Sequence, residues 1–335
     1  MEKIMQSLIV KENEKGQRMD KLLSKYLNLA PKSFLYKMLR KKNITLNGKK
    51  ATGSEILALG DEIKLFLSDE TIQKFSEVKP LTGTSVKPEV IYEDEHVLLL
   101  NKPDNMLSQK AKDSDISMVE VVISYLLNKG ELTEDDLKSF RPSICNRLDR
   151  NTTGMLAAGK SLAGLQTLSA LFRDRSMAKY YLCLVKGKMT ESQLLEGYLC
   201  KDNAKNTVTI RKRALSADDF PIKTAYTPLA STEYITLLKV KLITGRSHQI
   251  RAHLSSIGHP IIGDPKYGIK HVNQLYAKRY HISSQLLHSY ELYIPEISGE
   301  LSYLSGRHFT APLPEAFLRL MEGEKITWQP GIPEA

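Results

Sequence analysis

The first 67 positions alternate polar and apolar residues with the periods of two short helices and a small sheet. Apolar side chains between residues 19 and 28 recur three and four positions apart, which predicts an amphipathic helix. A second helix follows Pro31, and the cations in its last turn suit the negative end of the helix dipole. An Asn-Gly pair at 47–48 predicts a type I′ hairpin turn, and strand-like alternation returns over 60–67. We therefore expect a compact N-terminal module over residues 1–67.

Beyond residue 88 the pattern predicts a larger domain of mixed helices and strands. Strands are expected at 89–92, 97–100, 155–158, 179–187, 224–230 and 234–242. Helices are expected at 119–128 and 162–174. The interval 68–88 is polar and is interrupted by Pro80, Gly83 and Pro88, so we interpret it as a linker. The second domain is then expected to span residues 89–325.

The composition is that of a globular chain long enough for about two domains. Of its 335 residues, 41% are hydrophobic and 26% are charged, which argues against a disordered chain. No stretch approaches the roughly 18 uninterrupted apolar residues that a membrane span needs, and the first residues lack the apolar region of a signal peptide. We therefore expect a cytoplasmic protein. The three cysteines are far apart in sequence, which favours neither a disulfide framework nor a cysteine-rich zinc site.

The net charge of +10 is concentrated in one short segment. Residues 18–50 contain ten Lys or Arg residues and one acid, so this segment alone carries a charge of +9. A cationic surface confined to a small module is typical of nucleic-acid binding, and a membrane surface or a merely solvated face are the alternatives. The cations that we expect to contact RNA are Arg18, Lys21, Lys37, Arg40, Lys41, Lys42 and Lys49.

The segment Cys-Asn-Arg-Leu-Asp-Arg-Asn-Thr-Thr-Gly at 145–154 carries the strongest candidate chemistry. It sets Asp149 between Arg147 and Arg150, and a polar turn and an apolar strand follow. A carboxylate beside guanidinium groups stays ionised, and it can then act as a nucleophile or as an acceptor. On spacing alone, a helix cap or a surface ion pair is the alternative interpretation.

A second polar segment, 244–268, contains three histidines. Their spacings of five and six residues do not place two ligands on one helical face, so we expect no metal site here. Ser247 is expected to cap a short helix that begins near His248 and ends before Gly258, with Arg251 projecting from its flank. On the predicted strand 179–187, Tyr181 shares a face with core residues, and by itself this favours a structural role.

The N-terminal module resembles the S4 RNA-binding domain over most of its length. The resemblance rests on residues 17–23, the Arg-Lys-Lys run at 40–42, the strand and turn at 44–50, and residues 60–63. It implies that the second helix and the following turn lie against structured RNA. It therefore favours RNA over a membrane surface as the partner.

Residues 89–320 resemble the catalytic domain of the RluA family of pseudouridine synthases, in the group that includes RluC and RluD. The segments that carry the resemblance are the loop at 146–154, the Lys179-x-Tyr181 motif, residues 242–253 with their Gly-His-Pro continuation, and Leu287-His288. The resemblance implies an α+β protein, in which an S4-type α/β module precedes a catalytic domain built on a bent, mainly antiparallel sheet. The active cleft is expected to lie across that sheet.

The resemblance also assigns roles to matching positions. Asp149 matches the essential aspartate, which attacks the ribose or abstracts its proton so that the C1′–N1 bond breaks and the uracil rejoins through C5. Tyr181 matches the tyrosine that stacks on the uracil and assists removal of the C5 proton, and Arg251 matches the basic partner of the aspartate. Arg147 matches the arginine that contacts the flipped nucleotide. The side chains expected to bind the substrate are Arg147, Arg150, Thr153, Arg246 and His248.

Two positions depart from the commoner family pattern. Asn146 stands where most members have His, and Thr153 stands where Ser is commoner. Asn keeps hydrogen-bond donors and an acceptor, so we expect activity to survive.

Isomerisation gains and loses no atoms, so we expect no cofactor and no metal. The implied substrate is ribosomal RNA, with the 23S RNA of the large subunit preferred because an S4 module suits a large structured RNA. The alternatives are a tRNA substrate and a catalytically silent RNA-binding or ribosome-assembly factor. We expect a monomer with no membrane partner.

Overall fold

The computed structural model describes residues 6–77, 83–202 and 207–329. Within these ranges the strands are β1 (Gln6–Ile9), β2 (Ile44–Leu46), β3 (Lys49–Lys50), β4 (Glu62–Leu65), β5 (Glu89–Glu93), β6 (Val97–Lys102), β7 (Ser143–Ile144), β8 (Thr153–Gly159), β9 (Ala178–Lys186), β10 (Gln193–Asp202), β11 (Thr207–Arg211), β12 (Phe220–Ser231), β13 (Ile235–Leu242), β14 (Leu287–Tyr293) and β15 (His308–Thr310). The α-helices are α1 (Met19–Tyr26), α2 (Lys32–Arg40), α3 (Asp69–Phe75), α4 (Met118–Lys129), α5 (Leu162–Arg173), α6 (Gln249–Ser256), α7 (Lys270–Tyr280) and α8 (Glu315–Gly323).

The N-terminal part is built on a four-stranded antiparallel sheet in the order β1-β4-β2-β3. Helices α1 and α2 pack their apolar faces against it through fully buried residues such as Leu23 and Leu39. The predicted hairpin turn is present, since Asn47 and Gly48 both have the positive φ that a type I′ turn requires. The sequence pattern predicted both helices and missed β1, which is too short to show a period.

The first part of the interval predicted as a linker is helical. Ser68 begins α3 by accepting a hydrogen bond from the backbone N–H of Thr71. Ile72 of α3 is buried in the core of the N-terminal module, so the helix packs on that module. The turn-forming residues that suggested a linker come later, and residues 78–82, including Pro80, lie outside the described residues.

The second part is dominated by an eleven-stranded sheet. Its main path runs β11-β10-β12-β13-β9-β14-β8-β6-β5, with β15 paired to β14 and β7 paired to β8. The β8–β14 pair is parallel, and the other strand pairs described are antiparallel. The predicted pairing of 224–230 with 234–242 is confirmed as β12 and β13. The protein is therefore α+β with a large, mainly antiparallel sheet.

Alternating strand positions divide the core between the two faces of this sheet. Tyr181, Cys183 and Val185 of β9 lie on the same side as α4 and α6. Leu182 and Leu184 lie on the opposite side, which α7 and α8 cover. Each such fully buried side chain contributes roughly 1.5–3 kcal/mol, so the register of β9 is strongly specified. This register places residue 181 and its same-face neighbours on one defined side of the sheet.

Polar contacts join the N-terminal module to the larger part. The Lys11 Nζ lies 2.6 Å from Asp136 Oδ1, and the Asn13 side-chain oxygen accepts a hydrogen bond from the Leu162 N–H at 3.3 Å. In the described part of the chain, no helix has both the length and the apolar character that crossing a bilayer would require.

Candidate active site

A cleft of about 500 Å³ opens where the loop before β8, the start of β9 and the segment leading into α6 meet. It brings together side chains that are up to 142 positions apart in sequence, from Cys145 to Leu287. Six of the residues predicted to act on the substrate line it: Arg147, Asp149, Tyr181, Arg246, His248 and Arg251.

Hydrogen bonds to its backbone hold the loop that carries Asp149. The Lys102 side chain is fully buried, and its ammonium donates hydrogen bonds to the carbonyls of Pro103, Met106 and Arg150 at 2.7–2.9 Å. The Thr152 N–H donates to the Asp149 carbonyl at 3.0 Å, which closes the turn. These bonds fix the backbone at residue 149 and directly after it, so its carboxylate has a defined position.

Asn146 ties the start of the same loop to β8. Its amide nitrogen donates to the Met155 carbonyl at 3.2 Å, and its amide oxygen accepts the Ala157 N–H at 2.8 Å. Both polar groups of Asn146 are therefore used in holding the loop. This supports the expectation that the Asn in place of the commoner His leaves the site intact.

Gly154 allows β8 to approach β14 closely beneath the site. Its φ is +102°, and a side chain at this position would begin 2.2 Å from the Ser289 carbonyl oxygen. Only glycine fits such an approach, because any Cβ would overlap the neighbouring backbone. The parallel β8–β14 pair depends on this contact.

Arg251 bridges two carboxylates. Its Nη1 lies 2.9 Å from Asp149 Oδ2, while its Nε and Nη2 donate to the two oxygens of Asp264 at 2.7 and 2.8 Å. The Arg251 side chain is 4% exposed, and Asp264 is fully buried. A bidentate pair of this kind fixes the plane of the guanidinium, so one N–H group is directed at Asp149.

Tyr181 lies on the floor of the cleft and is 6% exposed. Burial raises the pKa of its phenol to about 12, so the side chain is neutral at physiological pH. A neutral phenol offers a flat ring and a hydrogen-bond donor. It is a poor base under these conditions.

His248 is the residue before α6 and has a left-handed conformation, with a φ of 57°. The prediction that Ser247 caps the helix is wrong, because the helix starts at Gln249 and His248 is the residue before it. The His248 Nδ1 lies 2.9 Å from the Tyr267 hydroxyl, and its Nε2 lies 3.8 Å from Asp149 Oδ2. Burial lowers the pKa of this imidazole, and the Asp149 carboxylate opposes that shift only in part.

Two of the residues predicted to bind substrate lie outside the described lining of the cleft. Thr153 is 8% exposed, and its hydroxyl lies 2.8 Å from His288 Nδ1 beneath the loop. Arg150 is exposed and is not among the described residues that line the cleft.

Three residues that support the site, Lys102, Asp264 and Tyr267, belong to no pattern that predicts such a role from the sequence. The Asp-x-x-Tyr-Gly sequence at 264–268 ends the polar segment 244–268. Its role becomes visible only in the structure, where Asp264 holds the Arg251 guanidinium. In the described ranges, no three His, Cys, Asp or Glu side chains group closely enough to hold a metal ion.

The cations predicted to contact RNA are exposed on the N-terminal module. Arg18 donates to the Asp20 carboxylate, with Nη2 to Oδ2 at 2.8 Å. Within the described ranges, the others have no carboxylate within ion-pair distance: Lys21, Lys37, Arg40, Lys41, Lys42 and Lys49.

A larger cavity, of about 820 Å³, lies between this module and the second domain. More carboxylates than ammonium groups line it, including Glu12, Glu93, Glu131 and Glu300. Such a lining repels a polyanion, so we place the chemistry in the smaller cleft with Asp149.

Comparison with known proteins agrees with this placement. Residues 96–256 match the family described as RNA pseudouridylate synthase. A ribosomal large subunit pseudouridine synthase C of Vibrio parahaemolyticus is 30% identical over 275 residues, which cover 79% of this chain and 80% of the relative. An uncharacterized RNA pseudouridine synthase of Mycoplasma genitalium is 31% identical over 298 residues, covering 87% of this chain and 89% of the relative.

The fold has a solved counterpart in human RNA pseudouridylate synthase domain containing 4. The TM-score is 0.56 at 20% identity, over 72% of this chain and 94% of the other. At that identity the likeness concerns the fold, and the sequence relatives carry the family assignment. The resemblance stated from the sequence is thus confirmed, and the chain belongs to the RluA family of RNA pseudouridine synthases, which are isomerases.

Proposed function

We propose that this protein converts specific uridines of large-subunit (23S) ribosomal RNA to pseudouridine, with Asp149 as the nucleophile. The observation that carries the proposal is the Asp149 carboxylate, held at 2.9 Å by Arg251 on the wall of a cleft that has Tyr181 on its floor. The relatives named as large subunit pseudouridine synthases support the substrate class.

The roles of the side chains follow from this arrangement. Asp149 reacts with the ribose of a uridine that has left its stack, and the C1′–N1 bond breaks. The uracil turns and forms a C1′–C5 bond, after which C5 loses a proton and N1 gains one. Among the described residues that line the cleft, Asp149 is the one carboxylate, so it is also our candidate to accept the C5 proton. The neutral Tyr181 ring stacks on the base and offsets part of the few kcal/mol that unstacking costs.

Arg251 orients the Asp149 carboxylate. Its charge is already balanced by the buried Asp264, so its position does not depend on the substrate. This preorganisation lowers the cost of reaching the reactive geometry.

The N-terminal module is proposed to act as an S4-type RNA-binding domain. Among the described residues, six of the seven cations predicted to contact RNA have no carboxylate within ion-pair distance, the exception being Arg18, which pairs with Asp20, so these six are free to contact phosphates. We place the module boundary after α3, with the connection to the catalytic domain between residues 76 and 88.

The experiment is to map pseudouridines in 23S rRNA and tRNA from a strain that lacks this gene. Complementation with the wild-type gene is expected to restore at least one 23S pseudouridine, and complementation with Asp149→Asn is not. If the 23S RNA of the deletion strain keeps every pseudouridine while a tRNA loses one, the proposed substrate is wrong. If neither RNA loses a pseudouridine, the silent-factor alternative gains support.

A further inference from the structure

One cation in the cleft has no partner among the residues that the structure describes. Lys179, at the start of β9, is 8% exposed and lines the cleft. Its ammonium lies 3.8 Å from the point where a side chain on Gly245 would begin, at the opposite wall. Among the described residues, no oxygen accepts a hydrogen bond from it and no carboxylate lies within ion-pair distance.

The other two buried cations near the cleft have hydrogen-bond or ion-pair partners. Lys102 donates to three carbonyls, and Arg251 contacts two carboxylates. Burying an ammonium without such partners is costly, because the water it loses is not replaced. The unusual feature of Lys179 is therefore that its ammonium has neither a hydrogen-bond acceptor nor a counter-charge among the described residues.

The surroundings of Lys179 are cationic. Arg173, Arg175 and Arg246 line the same cleft, and Asp149, their one acidic companion among the described lining residues, is already held by Arg251. Burial lowers the pKa of Lys179, and the charge of Arg175 lowers it further. An anion placed here would offset both effects.

We infer that Lys179 binds a backbone phosphate next to the target uridine, an interaction that rests on the proposed function. Lys179 and Tyr181 point to the same face of β9 and are two residues apart, which is about 6.6 Å along a strand. A nucleotide whose base lies on Tyr181 therefore has its phosphodiester within reach of the Lys179 ammonium. Arg175, at the rim, is positioned to share that charge.

The test is the salt dependence of binding to transcripts of unmodified 23S rRNA domains. Lys179→Met removes the charge and keeps an unbranched side chain, so the slope of log affinity against log salt is expected to become shallower by about 0.7–1. Lys179→Arg is expected to restore most of the slope.

Lys160→Met is the matched control for loss of a buried lysine. Its side chain is 8% exposed, but it pairs with Glu93 and Glu131 away from the cleft. This variant is expected to lose stability and keep the wild-type salt slope. An unchanged slope in Lys179→Met, or equal changes in both Met variants, would overturn the inference.

A second measurement covers the case in which Lys179→Met does not fold. In a short RNA, the phosphates around the modified uridine are replaced one at a time by neutral methylphosphonates. The affinity of the wild-type protein for each RNA is then measured. One position is expected to weaken binding severalfold, and the same position should have little effect on Lys179→Gln. If no single neutral phosphate weakens wild-type binding, the inference fails. Both measurements report binding, so they remain separate from the mapping experiment that tests the proposed function.

Discussion

Arg40, Lys41 and Lys42 on the N-terminal module are exposed, and none has a carboxylate within ion-pair distance among the described residues. Arg251 in the cleft is 4% exposed and contacts the carboxylates of Asp149 and Asp264. Both regions are cationic, but they differ in how much water and how much freedom their charges retain.

The difference indicates that the two regions have different functions. Exposed cations on long side chains contact many phosphates in many geometries, and salt screens them. A buried guanidinium fixed by two carboxylates holds a single geometry, and bulk salt screens it much less. We therefore expect the module to set RNA affinity and the cleft to set the rate of isomerisation.

The largest effect is expected from Asp149→Asn. The amide keeps the volume of the side chain but is not a nucleophile, so the single-turnover rate should fall by at least about 10³-fold. RNA affinity should stay within about twofold of wild type, since the phosphate contacts are untouched. The control is Asp174→Asn, which removes an exposed carboxylate beside the cleft residue Arg173. Equal rates for the two variants would contradict the assignment.

Asp264→Asn tests whether the buried pair holds Arg251 in place. Removing one charge of a buried ion pair costs roughly 3 kcal/mol, so urea unfolding should show a loss of that order. The rate at saturating RNA should also fall, by about tenfold or more, because the guanidinium loses its fixed plane. A stable variant with a normal rate would show that Arg251 needs no support from Asp264.

The buried histidines predict a loss of stability in acid. Burial lowers the pKa of His253 and of His288 to about 4, below the ordinary value near 6.5. Between these values the unfolded state binds more protons, so stability rises with pH from about 4 to 6.5 and is then constant. For each residue we expect roughly 2 kcal/mol less stability at pH 5 than at pH 7.5.

The check is urea unfolding of His253→Gln at both pH values. The variant should show a smaller difference between pH 5 and pH 7.5 than wild type, whereas His271→Gln, at an exposed position of α7, should behave as wild type. An undiminished pH effect in His253→Gln would mean that other groups cause it.

The smallest effect on the rate of isomerisation is expected when Arg40, Lys41 and Lys42 are all changed to Gln. Affinity for 23S RNA should fall about tenfold at moderate salt, and the salt slope should become shallower by about 2–3. Lys270→Gln with Lys278→Gln, at exposed positions of α7, is the control. If the control weakens binding as much as the triple variant, the affinity does not reside in the N-terminal module.

The local elements could be predicted because their periods are contained in the sequence. The helices at 118–129 and 162–173 and the β12–β13 pair are close to the expected ranges. Strand β14 and its parallel contact with β8 could not be found in this way, because that pairing joins residues 135 positions apart. The helix in the predicted linker was not predicted, because Ser68-Asp69-Glu70 is a polar run whose role as a helix start depends on the burial of Ile72 against the N-terminal module.

Residues of the site could be predicted only where they belong to a recognisable sequence motif. Asp149, Tyr181 and Arg251 came from the family resemblance, and the structure brings all three to one cleft. Lys102 and Asp264 act through contacts with the loop and with Arg251, and no local pattern reveals such partners. The left-handed conformation of His248 is likewise a tertiary effect, which helix-cap rules do not anticipate.

We expect the N-terminal module to set RNA affinity and the cleft to set the rate of isomerisation. The most direct test of these separate roles is tritium release from unmodified 23S rRNA labelled at uridine C5, measured in single turnover at saturating protein. The triple Arg40, Lys41 and Lys42 variant should release tritium within about threefold of the wild-type rate, while Asp149→Asn, although bound, should release none. A large loss of rate in the saturated triple variant, or release by Asp149→Asn, would contradict the account.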